Sequence, residues 1–442
     1  MNRRVLFLML GGIFLLACSP ISDFFISSTQ EPEPGFQIIT ATAQPTLAAA
    51  TQPAPTATIQ STVAPVPVPS GEVSSLYSVF PSDSLPAGKI ESLWGDSQGR
   101  LWLSGSQGIY RREGDEWIAL YSSPARQILG QDDIGRVWVL LDNGAQIAAW
   151  QDGGDWAVYD EKRGWQPVDG GSYLSRGFGD GLVMDEADRL WLATGGDDLR
   201  RLDPANGLWT NLTARQIGFD PPQEEGYQGH FLTDVALSDS GKLWVADCIG
   251  VGEGLDGQGI RRYDGQDWQG TEFTRDDCIF DLEVGESGIM WAGAVDALLK
   301  YSPVSGSWSR INLPIWGRFQ VVVDVTLDDE GRPWIELLRA GGASLAGGAA
   351  CFYLDGDDWV PVIELPQWQP YTLLLAGEGQ AWIFLDGILY HYSMNGLQEI
   401  APLPAQNVGL VVDGDGRLWV ARLGTDVGQL WWVDPPPAEE SP

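Results

Sequence analysis

The sequence predicts an all-β fold, a β-propeller of eight four-stranded blades closed by an N-terminal strand, and three observations carry that expectation. Tryptophan recurs at positions 102, 138, 191, 244, 291, 334, 382 and 419, at intervals of 36 to 53 residues, the span of one blade per repeat. Each of these tryptophans ends a stretch of the type Asp413-Gly-Asp-Gly-Arg-Leu-Trp419, with full forms at Asp96 to Trp102, Asp132 to Trp138 and Asp328 to Trp334. A second tryptophan then opens the outer strand in most repeats, at Trp117, Trp156, Trp209, Trp268, Trp308 and Trp359. Aromatic residues that repeat in step with the fold are inter-blade packing. Patterning weakens after Tyr159 and around Ile289, which leaves seven blades as the alternative count.

Taken in order, residues 1–18 read as a lipoprotein signal peptide. Arg3 and Arg4 precede an apolar run from Val5 to Ala17, too short to span a bilayer as a mature helix. The run ends in Leu15-Leu-Ala-Cys18, which resembles a bacterial lipobox with Cys18 as the acylated residue, and two acyl chains suffice for stable anchoring. Residues 19–70 are rich in Thr, Pro, Ala and Gln and bury too little apolar area to offset their ordering entropy, so a disordered stalk is expected. The propeller domain occupies residues 71–434, and 435–442 form a Pro/Glu-rich tail.

Within the domain the first repeat places strands at Ile90 to Trp94, Leu101 to Ser104, Ile109 to Arg112 and Trp117 to Tyr121. Between the first two, Asp bonds backbone amides two residues on, and Gly takes the positive φ that the turn requires. In the third repeat Asp188 stands where Gly is usual. The last repeat lacks an outer strand, whereas Ser74 to Phe80 precedes the first and has an alternating apolar pattern. That segment is therefore expected to complete the last blade and close the ring.

The stretches Phe80 to Ile90, Glu91 to Asp96 and Gly108 to Arg111 resemble the two-component regulator propeller repeat, and the resemblance extends from Leu76 to Val433. It implies a β-propeller related to extracellular sensor halves of hybrid kinases. No kinase, receiver or DNA-binding part accompanies it, so signalling is not carried over. Streptogramin lyase has a similar repeat, but the paired histidines of that family have no counterpart here.

Composition narrows the function. With 60 Asp and Glu against 26 Lys and Arg, nucleic acid is a poor partner, since phosphate binding needs a basic footprint. Anionic wall polymers and lipid faces should be repelled too. Only His230 and His391 are present, which rules out His-rich metal clusters. No catalytic motif, Walker loop or Rossmann loop occurs. His391 between Tyr390 and Tyr392 reads as packing, while His230 follows the longest connection, Ala214 to Gly229.

In propeller topology the second-to-third loops and the inter-blade connections share one face. Two such loops are long, Asp247 to Gly259 and Arg339 to Ala350. The first is Gly-rich and carries Asp247, Glu253 and Asp256, with Asp277 nearby, oxygen donors of the type that suit Ca²⁺ but in no defined spacing. Cys248 and Cys278 fall on this face of adjacent blades and form a disulfide candidate in an oxidising exterior, leaving Cys351 as a small buried residue. Leu-Pro pairs recur in the connections at Leu85, Leu313, Leu365 and Leu403, two of them followed by Trp316 and Trp368. These tryptophans are either stacking platforms or wedges between blades.

The expectation is a lipid-anchored, extracytoplasmic propeller that binds a glycan, peptide or protein ligand without catalysis, with Trp316, Trp368, Asp247, Glu253, Asp256, Asp277 and His230 as candidate contacts. The alternatives are a metal-assisted lyase or hydrolase with an acidic site on the long-loop face, and a structural surface protein.

Overall fold

Eight four-stranded antiparallel sheets follow one another, each packed on the next through buried apolar faces. In the computed structural model the described residues are 79–81, 88–141, 144–167, 182–220, 227–251, 254–274, 277–314, 320–339, 348–367, 369–377, 379–426 and 428–434. Cys18, the 19–70 segment, Glu253, Trp316 and Trp368 lie outside them, as do the Arg339–Ala350 loop residues 340–347. Blades 1 to 7 are runs of consecutive strands. Blade 8 combines Val408–Val412, Leu418–Arg422 and Gln429–Val433 with the N-terminal strand Val79–Pro81, in which Val79 pairs with Val433. Eight is the observed count, so the ring closes on a strand from the other end of the chain. Residues 74–78 of the expected closing segment are outside the described set. Among the described residues no helix is long and apolar enough to cross a membrane.

The repeated motif does more than turn the chain. Asp96 Oδ1 accepts from the Gln98 and Arg100 backbone N–H groups, while its Oδ2 accepts from Arg100 Nε at 2.6 Å and Trp102 Nε1 at 3.0 Å. The same clasp recurs at Asp132, Asp185 and Asp328. In blade 8 Asp413 still holds Trp419, but Arg417 turns to Asp434. One carboxylate thus satisfies a turn, a guanidinium and a buried indole at once, which is why this residue sits six positions before the tryptophan. Where blade 4 has Ser238, the hydroxyl bonds the Lys242 backbone and lies 3.0 Å from the Ser240 hydroxyl, and Trp244 Nε1 has no partner. Asp188 takes φ 56°, as the Gly of the other turns does.

The motif tryptophans pack against the next blade. Trp138 meets Trp209, Trp191 meets Trp268 and Trp244 meets Trp308, all edge to face with centroids 5.9–6.2 Å apart. On the outer rim Trp156 and Trp359 donate to the carbonyls of Leu120 and Asn312 in the preceding blade. Edge-to-face pairs add to burial, so these contacts join neighbouring blades into one body.

Candidate binding face and channel

The longest strands belong to blade 4. Tyr227–Leu237, Leu243–Val251 and Gly254–Tyr263 run beyond their neighbours on the face that carries the long loops, pairing as far as Tyr227 with Val251 and Val251 with Gly254. The segment from Asp247 to Gly259, expected as a Gly-rich acidic loop, is therefore mostly a β-hairpin. Its glycines serve close approach. A Cβ at Gly257 would lie 2.1 Å from the Asp277 carbonyl oxygen, and one at Gly259 would lie 1.8 Å from that of Thr274. The Thr274 and Asp277 carbonyls lie so near the third strand that only glycine fits, and Gly259 N–H donates to Asp277 O.

Three ties brace this hairpin. Cys248, at a bulge of the second strand, is disulfide-bonded to Cys278 at the start of blade 5. Asp277 beside it pairs with Arg310 at 2.5 Å. At the base, His230 and Asp247 are both buried and meet at 2.9 Å through Nδ1. His230 Nε2 lies 3.0 Å from the Asp220 carbonyl, and Gln258 bonds both the Asp247 carboxylate and the Asp220 backbone. Both ring nitrogens face oxygen acceptors, an arrangement that only the imidazolium fills with two donors. Burial opposes that charge, but the hydrogen bond and charge of Asp247 outweigh it and raise the His230 pKa. The 214–220 strap, with Ile217 and Phe219 in the core and Arg261 over the Phe219 ring, is thereby fastened to blade 4.

Of the candidate contacts, then, His230 and Asp247 are brought together but serve as an internal tie. Asp277 is committed to Arg310, and the backbone of Asp256 pairs with Ile249 within the hairpin. Among the described residues no group of three or more His, Cys, Asp or Glu is placed to hold a metal ion. His391 is buried against Trp382, ring centroids 4.6 Å apart, and burial lowers its pKa. Cys351 is a free buried thiol.

A second acidic group lies on the innermost strands, which line the channel. Asp234, Asp281 and Asp324 occupy the same position in blades 4, 5 and 6, each at a bulge ten residues before its motif tryptophan. Ser92 and Thr372 hold that position in blades 1 and 7. Its structural task is to bond the next blade. Asp234 accepts from Leu282 N–H, Asp281 from Val325 N–H and Ser92 from Ile128 N–H. Asp324 breaks the series and accepts from Thr326 within its own strand. Behind it, directly opposite across the ladder, stands Glu336, 3% exposed.

Burial raises the pKa of Asp324 to about 6, and burial together with neighbouring carboxylates pushes Asp281 and Glu336 well above the ordinary range. Acids with raised folded-state values bind more protons folded than unfolded. Their contribution is fully present below pH ~4 and is lost as pH rises through about 6 and beyond. Glu336→Gln is expected to raise the melting temperature at pH 8 more than at pH 5. Equal shifts at both pH values would show that Glu336 does not titrate there.

No protein-family model matches the sequence, and no curated protein matches it either. Among solved structures the chain is similar to the extracellular domain of a hybrid two component system from B. thetaiotaomicron, at 14% identity and a TM-score of 0.41, over 77% of this chain and 52% of that one. It is similar to virginiamycin B lyase from Staphylococcus aureus at 11% identity and a TM-score of 0.41, covering 81% and 99%. The Dos1 propeller is similar at 13% identity and a TM-score of 0.48, covering 80% and 94%. The chain spans about half the length of the first of these. The likeness is one of fold alone.

Proposed function

We propose that this chain is a lipid-anchored, extracytoplasmic propeller that binds a glycan, peptide or protein on its long-loop face and does no chemistry on it. The observation that supports the reading is the braced hairpin of blade 4, a raised platform held by a disulfide, a buried His–Asp pair and close backbone packing. A platform fixed in advance loses little conformational freedom on binding. Trp316 and Trp368, on the connections that follow blades 5 and 6 in the sequence, are the candidate apolar contacts of the same reading.

Alanine at either tryptophan tests their part. As stacking platforms each should lose several-fold in affinity, at ~1 kcal/mol, while melting near wild type. As wedges each should melt as low as Trp334→Ala, at a cost of ~3–5 kcal/mol. Glycan and peptide arrays with parallel thermal melts separate the two outcomes. For the anchor, Cys18→Ala should abolish incorporation of a fatty-acid probe. Equal label in wild type and variant would remove Cys18 from that role.

A further inference from the structure

The channel acids have an unusual electrostatic setting. The charges that act on Asp281 are those of Asp324, Asp234 and Glu283, all negative. Those on Glu336 come from Asp324; the nearby Tyr371 hydroxyl donates to the Ala350 carbonyl at 3.2 Å, and Cys351 stands beside Glu336 across the ladder. Thr326 is the hydrogen-bond partner of Asp324. Among the described residues no lysine or arginine is a leading charge on Asp281, Asp324 or Glu336. Asp281 and Asp324 are half-buried on the channel-lining strands. Most tellingly, Glu336 Oε1 is buried with no hydrogen-bond partner, and the ladder directs it to the same blade face as Asp324. Leaving a buried carboxyl oxygen unpaired is costly, and such a site is completed by a proton or a cation.

We propose that the channel wall at blades 5 and 6 is a cation site that takes an ammonium group of the ligand, with Asp281 and Asp324 as its contacts and Glu336 as the carboxyl behind them. The reading deepens the binding function above and rests on it. A metal fits poorly, because these carboxylates are not grouped to coordinate one. An ammonium donates three hydrogen bonds over a wider radius and needs no tight polyhedron. Seating it favours the ionised carboxylates, so protons leave as the cation enters. The −34 net charge of the chain draws such a ligand in at low salt.

Calorimetric titration of the full chain tests this, with spermidine and Nα-acetyl-lysine amide as cationic probes and Nα-acetyl-norleucine amide as the neutral control. At pH 7.5 and low salt at least one cationic probe should bind and the control should not. Spermidine would point to a free polyamine, acetyl-lysine amide to a peptide side chain. Affinity should fall at least tenfold at pH 5, and the heat should vary with the ionisation enthalpy of the buffer as protons are released. Asp281→Asn and Asp324→Asn should each lose tenfold or more, and a cationic probe should raise the wild-type melting temperature but not that of the double variant. Binding of neither cation, equal binding of the control, or undiminished binding by the double variant would overturn the proposal. Array binding on the long-loop face that persists while both cations fail would sink this site alone. Cation binding with a silent array would sink the face and spare the channel.

Discussion

Asp328→Ala is expected to destabilise the domain by ~3–4 kcal/mol, although it removes a single short side chain at a turn. The carboxylate accepts from the Glu330 and Arg332 backbones, from Arg332 Nε at 2.8 Å and from Trp334 Nε1 at 3.0 Å. Removing it leaves a buried indole N–H and a half-buried guanidinium without their acceptor. Stripping one partner from a buried charged pair costs ~3–5 kcal/mol. Blade 4 supplies the internal control, since Trp244 Nε1 already lacks a partner. Ser238→Ala should therefore shift the melt by ~1 kcal/mol or less. Equal losses at the two positions would mean that the Asp acts only as a turn former.

Replacing both Cys248 and Cys278 by serine should cost a similar ~3–4 kcal/mol. The bond closes a loop with a sequence separation of 30, and the loop-closure entropy withheld from the unfolded chain gives that magnitude. Reductant should lower the wild-type melt by the same amount and leave the variant unchanged. The hairpin should also become cleavable near 251–254 in the variant before the rest of the domain is. A melt unaffected by either treatment would show that the His230–Asp247 tie and backbone packing hold the platform unaided.

The fold was legible because it is written eight times. Trp102 and its equivalents mark each blade, and the missing outer strand of the last one pointed to the N-terminal segment. The binding face was legible only in outline. Asp247 and Gly257 to Gly259 looked like a solvated loop because glycine and aspartate are poor strand formers. Close approach of the Thr274 and Asp277 carbonyls, which no local pattern reveals, is what the glycines of this strand accommodate. The motif Asp was seen as a turn residue, since its bond to an indole six residues on depends on the folded hairpin. Glu283 shares the strand of Asp281, and no local motif singles out Asp234, Asp281 and Asp324. Their constant distance of ten residues before a tryptophan was a readable signal, but its meaning appears only when three blades set them side by side.

The most direct test of binding on the long-loop face is a glycan and peptide array probed with the 71–434 domain and with a variant in which 249–256 are shortened to a two-residue turn. Array features bound by the wild type should be lost from the shortened variant while its melt stays within a few degrees. Retention of every feature by the shortened variant would contradict the assignment of the hairpin face.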